Sequence, residues 1–121
     1  MTDRISVVVV SADVGVRSHV RLTLGDARFD VREAEDVVTT MRLVASELPT
    51  LVVLDLDLTP AVALGIARSL RDQPETAGIS TLLLIPRGAS PPDVAFGVDA
   101  TLQVPATSFA LLKKVDGLLP S

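Results

Sequence analysis

The chain has 121 residues, of which 48% are hydrophobic, and its formal net charge is −4. This length fits one domain, spanning residues 1–121, with a single core, and the hydrophobic fraction excludes a disordered chain. Cysteine is absent, which excludes disulfides, thiolate catalysis and cysteine-ligated metals.

The first half of the chain alternates strand-like and helix-like patterns. A β-branched run over residues 5–10 predicts a buried strand, and apolar residues four apart predict a helix over 14–24. Apolar and polar residues alternate over 29–33, which predicts a short strand. A second helix is predicted over 37–48, with Asp36 as its N-cap. The apolar face predicted for that helix consists of Met41, Val44, Ala45 and Leu48.

The second half continues the alternation. Its predicted elements are a strand over 51–56, a helix over 61–71, strands over 81–85 and 101–104, and a final helix capped by Thr107 or Ser108. Prolines and a glycine dominate residues 86–92, so only a short or irregular helix over 93–97 is expected between the last two strands. Strands that are apolar without alternation are typical of a parallel sheet covered on both faces. The order of elements therefore predicts an α/β, (βα)₅ fold.

Asp55 follows the apolar run Leu51-Val52-Val53-Leu54. In an open α/β sheet, ligands and chemistry are found at the carboxyl ends of the strands. Asp55 is therefore the first candidate functional residue, and its activity depends on which side chains surround it.

Several short motifs, taken in order, resemble those of the receiver domain of two-component response regulators, and the resemblance covers the whole chain. They are Val16-Arg17 with Leu24, Phe29-Asp30-Val31, the segment 49–55, the loop 72–79, and Gly97-Val98-Asp99-Ala100 followed by Pro105. The resemblance implies a flavodoxin-like, doubly wound sheet with strand order 2-1-3-4-5. It also implies that Asp55 is the phosphoacceptor position and that the Val104-Pro105 peptide is cis.

The resemblance also implies a set of reactive positions, and this chain departs from most of them. The family's acid pair, which holds Mg²⁺, falls on Ser11 and Ala12. Its hydroxyl position falls on Ile85, its lysine on Val104 and its fifth-strand aromatic residue on Thr101. Mg²⁺ prefers carboxylates, and phosphoryl transfer needs cations around the phosphoryl oxygens. We therefore expect no Mg²⁺ cofactor and weak or no phosphorylation of Asp55.

Two further acids lie near Asp55 in the predicted fold. Asp13 and Asp57 are weak candidates for a displaced Mg²⁺ or Ca²⁺ site together with Asp55. The alternative interpretation is that Asp13 caps the first helix and Asp57 is a solvated loop residue. His19, the single histidine, is expected to be a solvated helix residue.

Three functions follow from these residues. The first is an atypical receiver, or pseudo-receiver, that is not an enzyme and regulates through protein contacts or dimerisation. The second is a working phosphoacceptor that uses Asp55 in a phosphorelay. The third is a phosphatase resembling the haloacid dehalogenases, because Asp55-Leu56-Asp57-Leu58-Thr59 matches D-x-D-x-T. Against it, two βα units precede the motif, and few candidate Mg²⁺ ligands follow it.

The expected partner is a protein or an effector domain. The face formed by residues 91–119 is the predicted site of a homodimer, because the resemblance places the family's output surface there. Direct nucleic-acid binding is not expected, since the longest basic run is Lys113-Lys114 and only three residues are aromatic. The apolar runs are shorter than the roughly 20 residues needed to cross a bilayer, and no signal peptide is recognisable. The expected compartment is the cytoplasm.

Overall fold

A computed structural model describes residues 4–25, 28–57, 60–89 and 97–119. Its strands are β1 (Ile5–Val10), β2 (Phe29–Ala34), β3 (Leu51–Asp55), β4 (Ser80–Pro86) and β5 (Ala100–Val104). Its helices are α1 (Val14–Leu24), α2 (Val37–Glu47), α3 (Pro60–Asp72) and α4 (Ser108–Leu118). The strands form one sheet in the order β2-β1-β3-β4-β5, and every neighbouring pair is parallel.

The sheet confirms the predicted parallel architecture and its strand order. The predicted boundaries of these strands and helices either match the observed ones or differ from them by one residue at one or both ends. The short helix predicted over 93–97 falls mainly on residues 90–96, which lie outside the described part of the chain. No helix in the described ranges is long and apolar enough to span a bilayer.

Two apolar layers hold the helices against the sheet. On one face, the side chains of α2 and α3 pack on alternate residues of the central strands, such as Val52 and Leu54. On the other face, α1 and α4 pack on the intervening residues, such as Val53, and on Phe29 of β2. The middle residues of β1, β3 and β4 are fully buried, which accounts for their continuous apolar runs.

The buried face of α2 differs from the prediction. Val44 is buried and Met41 is partly buried, but Ala45 and Leu48 are exposed. The helix ends at Glu47, and Leu48 adopts a left-handed conformation with φ of 45°, so its side chain leaves the apolar stripe. Thr40 is buried instead, and its hydroxyl donates to the Asp36 carbonyl at 2.7 Å.

Asp36 caps α2 as predicted: its carboxylate accepts a hydrogen bond from the backbone N–H of Thr39 at 2.8 Å. This bond lowers the pKa of Asp36 below its usual value. Because the folded-state pKa is lowered, the carboxylate stabilises the fold above the unfolded pKa of about 3.9, and this stabilisation is lost as pH falls through the lower folded value.

We expect the Asp36→Asn variant to melt close to the wild type at neutral pH, since asparagine is an equally good N-cap. As the pH is lowered from 5 to below the unfolded pKa of aspartate, the melting temperature of the wild type should fall by more than that of this variant, because only the wild type has a carboxylate at position 36 that becomes protonated. Thermal unfolding followed by circular dichroism across that range measures the difference. Parallel pH profiles for the two proteins would contradict the assignment of Asp36 as an ionised cap.

A polar cluster of Thr81, Asp99 and Arg71 links the residues just before β5 to β4 and α3. The backbone N–H of Thr81 donates to Asp99 Oδ2 at 2.8 Å, and the Asp99 N–H donates to Thr81 Oγ1 at 3.2 Å. The Thr81 hydroxyl also donates to the Gly97 carbonyl. Arg71 of α3 donates to Asp99 Oδ2 at 2.9 Å. Thr81 is fully buried, so its polar atoms need these partners.

Candidate functional site

Asp55 is the last residue of β3 and lies at the carboxyl end of the sheet, 2% exposed. β1 and β4 flank β3, with Val10 opposite Leu54 and Leu84 opposite Asp55. Ser11 directly follows β1, so the parallel register brings Ser11 beside Asp55. The side chain that lies beside Asp55 at the end of β1 is therefore the hydroxyl of Ser11.

The Asp55 carboxylate is held through both of its oxygens. Oδ2 accepts a hydrogen bond from the Ser11 hydroxyl at 2.7 Å, and Oδ1 accepts one from the Asp57 backbone N–H at 3.0 Å. Hydrogen bonds to an ionised acceptor are stronger than those between neutral groups. These bonds fix the orientation of the carboxylate and satisfy a buried polar group.

Ser11 is fully buried and is bonded through both its side chain and its backbone. Its Oγ accepts from the Asp13 N–H at 3.0 Å, and its own N–H donates to the Ala34 carbonyl at 3.0 Å. Its carbonyl accepts from Arg17 Nη1 at 2.7 Å. The hydroxyl therefore connects the turn between β1 and α1 to the Asp55 carboxylate, and a neutral hydroxyl is a poor substitute for a carboxylate ligand of Mg²⁺.

The other acids near β3 do not form a metal-binding group with Asp55. Asp13 is the N-cap of α1, and its Oδ1 accepts from the Gly15 N–H at 2.7 Å. Asp57 is exposed, as is Ala12. Across the described ranges, no group of three acidic, histidine or cysteine side chains is arranged to hold a metal ion. The geometry of Asp13 matches the capping interpretation.

The remaining positions implied by the resemblance, Ile85, Val104 and Thr101, hold uncharged side chains. Ile85 is 4% exposed and belongs to the apolar layer under α2 and α3. Val104 ends β5 and packs against the opposite layer, and Thr101 is a partly buried residue of the same strand. Neither Ile85 nor Val104 carries a charge to neutralise a phosphoryl group. The Val104-Pro105 peptide is cis, which confirms the prediction.

Arg17 lies near the site, and no role was predicted for it from the sequence. Its side chain is 14% exposed, and its Nε lies 3.1 Å from Glu33 Oε1. Arg21, one turn later, places its Nε 3.1 Å from Glu33 Oε2. Glu33 therefore pairs with both guanidinium groups, and Arg17 joins β2, α1 and the Ser11 carbonyl. The arginine spacing on α1 gave a weak signal, because only the fold places Glu33 between the two side chains.

His19 is exposed on α1, as predicted, and it also has a specific contact. Its Nε2 lies 3.1 Å from the carbonyl oxygen of Ala106 in the loop between β5 and α4. This hydrogen bond links α1 to that loop. Of the phosphatase-like motif, Asp55 is buried and Asp57 is exposed, while Leu58 and Thr59 lie outside the described residues. The motif begins on the third strand of the chain.

Substitution of Ser11 and Asp55 should show a strong energetic coupling. Ser11→Ala removes the donor to Asp55 Oδ2, and we expect a loss of about 1–3 kcal/mol in unfolding free energy, because a buried acceptor is left without its partner. Asp55→Leu should have a cost of similar size. The double variant should lose less than the sum, with a coupling of roughly 0.5–3 kcal/mol. Urea denaturation of the four proteins measures this cycle, and additive losses would contradict the hydrogen bond.

The sequence matches no protein-family model and no curated protein, whereas solved structures resemble it over nearly its full length. The chemotaxis response regulator CheY4 of Vibrio cholerae is 21% identical with a TM-score of 0.85, covering 97% of this chain and 100% of that one. The signal receiver domain of a histidine kinase from Syntrophus aciditrophicus is 19% identical with a TM-score of 0.82, covering 94% of this chain and 89% of that one.

A third structure contains the same fold inside a longer protein. NtrX from Brucella abortus is 20% identical, with a TM-score of 0.85 and coverage of 97% of this chain but 26% of that one. Identities at this level carry information on the fold alone. With its parallel order β2-β1-β3-β4-β5 and Asp55 at the carboxyl end of β3, this chain has the receiver-domain fold of two-component response regulators.

Proposed function

We propose that this chain is a pseudo-receiver: a cytoplasmic signalling module, not an enzyme, that acts through protein contacts without phosphorylation of Asp55. The observation that carries the proposal is the bond from the Ser11 hydroxyl to Asp55 Oδ2 at 2.7 Å. The resemblance implies that Ser11 stands at one of the two positions of the acid pair, and Mg²⁺ is bound through carboxylates rather than through a neutral hydroxyl. A phosphoryl group on Asp55 would add nearly two negative charges at a site where Ile85 and Val104 provide no cation.

The surface through which such a module would act includes β5 and α4. Phe109 on α4 is 74% exposed, and the Lys113 ammonium lies 5.9 Å from its ring centroid. Exposed aromatic side chains are enriched where proteins bind other proteins. We therefore propose that a protein partner, an effector domain or a second copy of this chain binds the surface of β5 and α4, which is the described part of the 91–119 face predicted from the sequence.

The competing function is that of a working phosphoacceptor, which is favoured by the position of Asp55 at the end of β3. The two functions differ in the response of the protein to acetyl phosphate and to beryllofluoride, each with Mg²⁺. We expect the intact mass of the wild type to stay unchanged with acetyl phosphate, and its amide spectrum to stay unchanged with beryllofluoride. A mass increase that maps to Asp55 would contradict the proposal.

A reconstituted variant provides the matched positive control. Ser11→Asp and Ala12→Asp restore the acid pair, while Ile85→Thr and Val104→Lys restore the hydroxyl and the cation. We expect this variant to accept a phosphoryl group from acetyl phosphate only when Mg²⁺ is present, and to lose that ability when Asp55→Asn is added. Circular dichroism establishes beforehand that the variant is folded.

A further inference from the structure

A cavity of about 300 Å³ lies at the carboxyl end of the sheet between α1 and α4. Its wall is predominantly apolar and is contributed by α1, β4, β5 and α4 through Val16, Val20, Leu84, Leu102, Val104 and Leu111. Four elements and the loop at Pro105 and Ala106 therefore line it. Pockets of this size with apolar walls at the strand ends of an α/β sheet are typical places for small ligands.

The polar side chains that line the cavity are those of Asp13 and His19. Asp13 contributes a carboxylate, of which Oδ1 is bonded to the Gly15 N–H at 2.7 Å. His19 lines the cavity and is bonded to the Ala106 carbonyl at 3.1 Å. Neither lysine nor arginine belongs to the described lining. An anionic ligand would meet the Asp13 charge with no lysine or arginine in the described lining to offset it, whereas a cationic group would be attracted.

We propose that this cavity binds a small apolar molecule that carries a protonated amine, such as an arylalkylamine. A cavity of about 150 Å³ is large enough to hold benzene, so the volume here accommodates a ring and a short alkyl chain. The ring lies among Val16, Leu102 and Val104, and the ammonium group pairs with the Asp13 carboxylate. The proposal is independent of Asp55, which does not line the cavity.

Val104 connects this cavity to the altered chemistry of the sheet end. It ends β5, packs with the apolar layer under α1 and α4, and lines the cavity. The resemblance puts a lysine at this position, and a lysine would bring a positive charge to the end of β5. With valine there, this part of the wall is apolar, and the Asp13 carboxylate lines the cavity without a lysine at the end of β5.

Three probes of similar shape and different charge test the proposal: benzylamine, benzyl alcohol and benzoate. Each is titrated at millimolar concentration into the ¹⁵N-labelled wild-type chain at neutral pH, with amide shifts as the readout. We expect benzylamine to shift amides of α1 and β5 and to bind about 10-fold more tightly than benzoate, owing to the Asp13 charge. Equal affinity for the amine and the acid, or the absence of shifts with benzylamine, would overturn the proposal.

Variants locate the binding. Asp13→Asn keeps a good N-cap for α1 and should reduce benzylamine affinity to that of benzyl alcohol. Val104→Phe puts a ring into the cavity and should weaken benzylamine about 10-fold or more, while Val38→Phe, on the exposed face of α2, should leave it unchanged. Unaltered benzylamine binding by folded Asp13→Asn and Val104→Phe proteins would place the amine elsewhere and would refute the assignment of this cavity.

Discussion

Replacement of Phe29 by alanine is expected to destabilise the protein by about 3–5 kcal/mol. This is the usual cost of removing a buried aromatic side chain and leaving a cavity in the core. Phe29 begins β2 and is 1% exposed among the side chains of α1 and α4. The Arg28 guanidinium carbon also lies 5.2 Å from its ring centroid. Single domains are stable by about 5–15 kcal/mol, so this substitution removes a large share of the total.

Urea denaturation followed by far-ultraviolet circular dichroism measures the effect of Phe29→Ala, because the chain contains no tryptophan or tyrosine to report by fluorescence. Phe109→Ala is the matched control, since that ring is 74% exposed. We expect the control to stay within about 0.5 kcal/mol of the wild type. Similar losses for the two substitutions would contradict the placement of Phe29 in the core.

Gly97→Ala is the second large expected effect, with a loss of about 2–5 kcal/mol. Gly97 has a φ of 75°, and a Cβ atom there would lie 2.6 Å from the Ala67 carbonyl oxygen in α3. The left-handed conformation costs an L-residue about 1–2 kcal/mol. Forcing an extra carbon against backbone atoms typically costs a further 1–3 kcal/mol or so.

Two other glycines separate these contributions. Gly88 has a φ of 87°, but a Cβ atom there would meet nothing within 4 Å, so Gly88→Ala should show the conformational cost alone. Gly78 has neither a positive φ nor a close neighbour, so Gly78→Ala should be neutral or stabilising by about 0.4–1 kcal/mol. Chemical denaturation of the three variants should rank Gly97→Ala as the least stable, and any other order would argue against the close approach of residue 97 to α3.

The sequence predicted the architecture well because hydrophobic periodicity is a local property. Continuous apolar runs in β1, β3 and β4 and the apolar spacing in α1 and α3 all correspond to observed elements. The order of the strands came from the resemblance and was confirmed. The prediction for α2 was wrong at Leu48, because periodicity does not show where a helix stops. It was wrong at Ala45, because the buried stripe runs through Thr40 and Val44 and a polar threonine does not mark an apolar face. Leu48 is left-handed at the end of the helix, and Pro49, which follows it, cannot continue a helix.

The candidate site was predictable in position but not in its contacts. The sequence placed Asp55 at a strand end and Ser11 at the first strand's end, and the structure adds the direct bond between them. The ion pairs of Arg17 and Arg21 with Glu33 could not be predicted from the sequence. They join α1 to β2, and the paired residues are 12 or more positions apart in the chain. Such pairs form through the tertiary fold, and neither spacing nor composition encodes them.

The position of the polar cluster of Thr81, Asp99 and Arg71 has a consequence for mutational robustness. The cluster binds the amino ends of β4 and β5, whereas Asp55 lies at the carboxyl end of β3. Strands of five to seven residues, at about 3.3 Å per residue, keep these ends well apart, and distant substitutions are generally additive. The chain can therefore exchange reactive side chains at one end of the sheet while the opposite end continues to anchor the edge strand. Substitution of side chains beside Asp55 and retention of the fold are compatible in this architecture.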